Sequence, residues 1–78
     1  MLDCTRLTME LAENHPTRAM AFMAGIAGLK VHAGNQRIDI FSGSRAMDEQ
    51  SGWLIPWIER VTREVTGIDY EVVYHGTN

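Results

Sequence analysis

TRLTMEL, residues 5–11, is the stretch on which the fold of this chain turns. Leu7, Met9 and Leu11 alternate with Arg6, Thr8 and Glu10, the period of a strand covered on one face. Read so, it is a first strand. If the same residues are helical instead, the chain loses that strand and its order shortens to α-β-β-α-β.

Residues 12–75 place the remaining elements. AENHPT (12–17) is a turn, with Asn14 or His15 as N-cap and Pro16 where a first-turn proline gives up no helical hydrogen bond. The helix begun there is expected to run to about Gly28, whose missing Cβ suits a left-handed C-terminal residue. LKVHA (29–33) and QRIDIF (36–41) alternate on either side of Gly34-Asn35, a two-residue hairpin signal. SGSRAMDEQSG (42–52) is polar and loop-like, with Ser51 or Asp48 available to cap the next helix. From Trp53 to about Thr66, Leu54, Ile58, Val61 and Val65 recur at helical spacing, and Glu59 with Arg63 forms an i,i+4 pair. Pro56 requires that this helix start there or bend there, and Gly67 ends it. IDYEVVYH (68–75) alternates as a closing strand, with Ile68, Tyr70, Val72 and Tyr74 on one side.

The sum is an α+β, ferredoxin-like βαββαβ two-layer sandwich, four antiparallel strands under two helices, with the αββαβ sandwich as its alternative. With 78 residues the chain is expected to form a single domain, 1–78. A domain near this size buries only about 60% of the surface its unfolded chain exposes, so its stability margin is thin.

Charge and composition narrow the functional classes. The formal charge is −3 and no run of Lys or Arg occurs, so the electrostatic drive for nucleic-acid binding is missing. The apolar stretch 19–29 is far short of the roughly 20 residues that cross a bilayer. The lone Cys4 forms no internal disulfide and no secretory leader opens the chain, which points to a cytoplasmic protein. His15, His32, His75 and Cys4 fall in no metal-ligand spacing, and no nucleophile elbow, Walker loop or dinucleotide turn is present. No metal, cofactor or catalytic residue is therefore assigned, and the chain is read as a non-enzyme.

AMAFMAGIAG (19–28) is the unusual surface. On a helix, Met20, Phe22, Met23, Ile26 and Leu29 cover about half the circumference, while Thr17, Ala21, Ala24, Gly25 and Gly28, with Arg18 near one border, leave the other half small rather than polar. Ala costs little in water, so the small half could simply be solvated. Gly25, however, costs roughly 1 kcal/mol against Ala inside a helix, a cost that a close neighbour would explain. Trp53 and Trp57, one turn apart, could both serve the core, or one could anchor a partner. These seven residues are the candidate partner-binding set.

The expected function is a protein-interaction module, an inhibitor or regulatory subunit that binds a protein partner or a second copy of itself, a class that includes phage and mobile-element inhibitors of bacterial defence. A second candidate locus is the helix start at Asn14, His15 and Arg18, where backbone N–H groups could hold a small anion. Leu7, Leu11, Asn14, Pro16 and the closing Gly28-Leu29-Lys30-Val31 also resemble the amino-acid-sensing ACT domains, although Thr17 stands where such domains carry a Gly. That resemblance implies a βαββαβ fold and an amino-acid effector near Asn14–Arg18.

Overall fold

Asp3 decides the state of residues 5–11. In the computed structural model, which describes residues 1–77, the Asp3 carboxylate accepts the backbone N–H of Arg6 at 2.8 Å and starts a helix, α1, at Cys4–Asn14. The expected first strand is therefore absent. Leu7 and Leu11 are four apart and fit a period of 2 or of 3.6 equally well, and both are fully buried. Met9, which a strand would turn inward, is 56% exposed. Leu, Met, Glu and Ala are strong helix formers, so local preference also favours α1.

His15 ends α1 and begins α2, Pro16–Gly25: its N–H donates to the Leu11 carbonyl and its own carbonyl accepts from Ala19, each at 2.8 Å. Pro16 cannot continue α1 but suits the first turn of α2. The second helix stops at Gly25, three residues short of expectation, because Ile26–His32 forms β1. Strand β1 pairs with Arg37–Ser42, β2, in antiparallel register: Leu29 faces Ile40, Lys30 faces Asp39 and His32 faces Arg37. The connecting turn spans 33–36, wider than the expected two residues, and its left-handed position is Gln36 (φ 52°).

The stretch 42–52 also holds a short helix, α3, Arg45–Glu49, capped by the Ser44 hydroxyl, which accepts the Met47 N–H at 3.2 Å. Helix α4, Ser51–Thr66, begins before Pro56 and runs through it, with Gln50 rather than Ser51 or Asp48 at its N-cap and no side-chain cap bond. Gly67 terminates it at φ 73°. Arg63 turns from Glu59 to Asp69, 2.5 Å away.

Glu71–His75 forms β3, which lies parallel to β2 with Ile38 opposite Val72 and Ile40 opposite Tyr74. A parallel pair needs a crossover of a dozen or more residues, and α3 with α4 supplies it. Over the described residues the protein is thus α+β in the order ααββααβ, with a three-stranded mixed sheet, β1-β2-β3, and four helices in place of the expected four-stranded antiparallel sandwich. The βαββαβ order behind the ACT resemblance is not the order of this chain.

Ile38 and Ile40 turn one sheet face toward the helices, where Leu7, Leu11, Phe22, Leu54, Trp57 and Ile58 close the core. Full burial of each such side chain stabilises by about 1.5–3 kcal/mol. Among the described residues no helix is long and apolar enough to cross a membrane.

Candidate functional site

The small-residue ridge divides in two. Gly25 is covered by the chain itself: a Cβ there would run into the Cε methyl of Met47 on α3. Gly28 belongs to β1, where a Cβ would make ordinary contact with the Phe41 ring at 3.6 Å. Thr17, Ala21 and Ala24 remain exposed on α2. Beside them stand two large apolar side chains in water, Met20 at 75% and Met23 at 47% exposure. With Thr8, Ala12, Pro16 and Ala19 these methionines line a groove of about 350 Å³ between α1 and α2. None of its lining residues is charged.

A surface helix ordinarily carries a polar stripe opposite its buried one. On α2 the buried residues are Ala19 and Phe22, and Arg18 is the one charged residue. Its guanidinium lies over Trp53 and Trp57, 5.1 and 5.7 Å from the ring centroids, in cation–π geometry. The outward face of α2 is thus Pro16, Thr17, Met20, Ala21, Met23 and Ala24, with one hydroxyl in six residues. The sequence marked the small residues of this face but assigned the methionines to the buried side.

Trp57 is 2% exposed, edge-on to Phe22 and His15 with centroids 5.8 Å away in each case. Trp53 is half-buried under Arg18 and 5.7 Å from Trp57. Both indoles therefore serve the domain's own packing. The Trp57 Nε1–H is buried without a hydrogen-bond partner, which costs about 1–3 kcal/mol.

The three residues of the expected anion site do not converge. Asn14 donates back to the Glu10 carbonyl and carboxylate at 3.0 and 3.2 Å. His15 sets its ring against Trp57, and Arg18 lies over the indoles. Asn14 and His15 do share a shallow cavity, lined also by Arg6, Glu10 and Glu64, in which two carboxylates stand against one guanidinium.

The open sheet face carries the densest polar cluster. Strand parity puts Lys30, His32, Arg37, Asp39, Phe41 and His75 there. Asp39, on the central strand, is 6% exposed. It receives Arg37 Nη2 at 2.9 Å and Nε at 3.2 Å, His75 Nε2 at 2.8 Å and His32 Nε2 at 3.0 Å. The hydrogen bond from Arg37, then that from His75, holds the Asp39 carboxyl well below the usual carboxylate range against the opposing effect of burial. An ionised carboxylate only accepts, so the His75 imidazole donates from Nε2. Phe41 stacks on His75 at 4.5 Å with Lys30 over its ring, so it is no free stacking platform. Sequence parity placed these side chains on one face; their convergence on Asp39 depends on the strand register.

Asp48 forms a second carboxylate centre, accepting from Tyr74 Oη at 2.8 Å and Thr77 Oγ1 at 2.6 Å. Bonds from Thr77, Ser42 and Tyr74 hold its carboxyl well below the usual range. The centre fastens α3 to the end of β3. Among the described residues no group of three His, Cys, Asp or Glu side chains is placed to hold a metal ion. Comparison with protein-family models, with characterised proteins and with solved structures finds no match to this chain.

Proposed function

We propose that this chain is a non-enzymatic interaction module, of the inhibitor or regulatory-subunit kind, and that its contact surface is the uncharged α1–α2 face. The observation that carries this is the pair Met20 and Met23, 75% and 47% exposed beside Ala21 and Ala24, with Met9 at 56% on the adjoining helix. Flexible thioether side chains adapt to an opposing surface, and methionine is over-used where proteins bind partners. Alanines between them let a partner backbone approach closely.

A second copy of the chain is the occupant this chemistry favours. The groove lining has no charge, so a two-fold contact centred on it brings no like charges together there, and its large and small residues alternate along one helix as a self-complementary contact needs. Exposed Cys4 stays a free thiol in a reducing compartment, and we place the module in the cytoplasm on that ground.

Sedimentation equilibrium of the wild type and of Met20→Glu tests the proposal. The wild type is expected to dimerise with a Kd on the order of micromolar, as a small interface permits. Met20→Glu is expected to be monomeric with unchanged circular dichroism, because an exposed substitution costs within about 0.5 kcal/mol. A wild type that stays monomeric near about 1 mM, where a micromolar Kd would leave almost no monomer, overturns it, as does a Met20→Glu variant that dimerises equally well.

A further inference from the structure

We propose that the cavity enclosed by the start of α1, the β1–β2 turn and the end of α4 binds a small organic monocarboxylate with an apolar body. The cavity measures about 420 Å³, within the roughly 300–1,000 Å³ of small-molecule sites. Leu2 and Tyr70, 3% and 6% exposed, lie deep in it, Val65 and Ile68 form an apolar wall, and Ala33 and Gly34 close the side of the turn.

Two polar groups of this cavity have no partner within the molecule. The Arg6 guanidinium makes no hydrogen bond or ion pair among the described residues, although its backbone N–H is tied to Asp3. Two carboxylates line the adjoining cavity with Arg6, and each has another neighbour: Glu10 accepts from Asn14, and Glu64 lies 4.0 Å from Arg60. The Tyr70 hydroxyl likewise makes no intramolecular hydrogen bond, yet it is not a sealed polar atom, a condition confined among the described residues to Trp57 Nε1. It therefore reaches solvent, and Tyr70 is one of the residues that line this cavity.

A free guanidinium, a free phenol and apolar walls define the ligand's chemistry. A planar carboxylate meets the fork of Arg6 in two parallel hydrogen bonds, Tyr70 donates to it or to a neighbouring oxygen, and the ligand's hydrocarbon body lies on Leu2, Val65 and Ile68. Arg6 is the one charged side chain among the residues that line this cavity, and no carboxylate joins it there; it answers one negative charge and not two, which selects a monocarboxylate over a phosphate dianion.

Titrations of the full chain followed by amide NMR shifts provide the test, with hexanoate and phenylacetate as probes, their primary amides as uncharged counterparts, and inorganic phosphate. The acids are expected to give saturable shifts at residues 33–34 and 65–70, with the amides and phosphate at least about tenfold weaker, the equivalent of one charge-assisted bond. Arg6→Met is expected to bring each acid to the affinity of its amide. A Cβ at Gly34 meets nothing within 4 Å and the backbone there is not left-handed, so Gly34→Phe adds a ring at the edge of the cavity without straining the turn and is expected to weaken binding of acid and amide alike. Acids that never saturate overturn the proposal. So do amides that bind as well as acids, or Arg6→Met binding that matches wild type in a variant of unchanged circular dichroism.

Discussion

Three glycines of this chain are expected to respond to the same added methyl group in three different ways. An alanine Cβ at Gly43 would stand 2.8 Å from the Gly25 carbonyl oxygen, 3.0 Å from the Ile26 carbonyl carbon and 3.1 Å from the Ala27 nitrogen. All three are backbone atoms at the junction of α2 and β1, and none has a rotamer to retreat into. Overpacking costs about 1–3 kcal/mol even where side chains can yield, and the displaced Gly43 N–H to Gly25 bond, 2.9 Å long, is worth about 1 kcal/mol more. Gly43→Ala should thus destabilise by about 2–4 kcal/mol, lowering the melting temperature by roughly 10–25 °C in a domain of this size. At Gly52, inside α4, the new Cβ meets nothing within 4 Å, so Gly52→Ala should stabilise by about 1 kcal/mol through helix propensity alone. Gly25→Ala lies between them, because the clash is with the far methyl of Met47, which can swing away, and α2 gains the same propensity. Urea denaturation of the three variants gives the ranking directly. A Gly43→Ala change smaller than about 0.5 kcal/mol, the scatter of ordinary surface substitutions, would refute the close approach of the 42–44 segment to the end of α2.

The acid response should run through Asp39. Its folded carboxyl is held below the unfolded value, so its contribution is fully present above about pH 4, the unfolded carboxylate pKa, and is lost as the pH falls further. Asp39→Asn is expected to lower stability at pH 7 and to flatten the acid limb of a stability–pH profile measured by urea denaturation; an unchanged limb would sink the assignment. At Trp57, Phe in place of the indole gives up ring area but removes a buried N–H that has no partner. Trp57→Phe should stay within about 1 kcal/mol of wild type, the lost packing being offset by relief of an unsatisfied donor, and a loss above about 3 kcal/mol would mean that the donor is paired.

Most of the chain was legible from its periodicity. The hairpin, the Leu54, Ile58 and Val61 face of α4, the left-handed stop at Gly67 and the parity of the open sheet face all come from spacing and turn chemistry. Residues 5–11 were not, because Leu7 and Leu11 satisfy both periods and the deciding signal, the Asp3 cap, precedes the stretch. Residues 26–28 misled for a related reason: Gly28 suits a helix stop, yet it also sits where β1 crosses the Phe41 ring. The parallel placement of β3 was within reach of a length argument, since 28 residues, 43–70, separate it from β2 and contain two helices. The Asp39 cluster lay out of reach. It needs His32 opposite Arg37 and His75 opposite Phe41, and such pairings are set by register rather than by composition.

The two uncovered faces of the molecule differ in what water must do for them. On the open sheet face the one nearly buried charge, Asp39, is answered from within by Arg37, His32 and His75, and those three side chains reach solvent. That face is complete with water as its only neighbour, and the loss of a fourth strand leaves no unsatisfied polar group at Asp39. On α1 and α2 the groove lining offers water one hydroxyl, at Thr8, and six residues' worth of hydrocarbon. Covering Met20 and Met23 would recover about 25 cal/mol for each Å² withdrawn from solvent, in a domain whose margin is thin. The same change of α1 from strand to helix that removed a strand from the sheet also put Thr8 and Ala12 beside α2, and so built the groove on which the proposed contact depends.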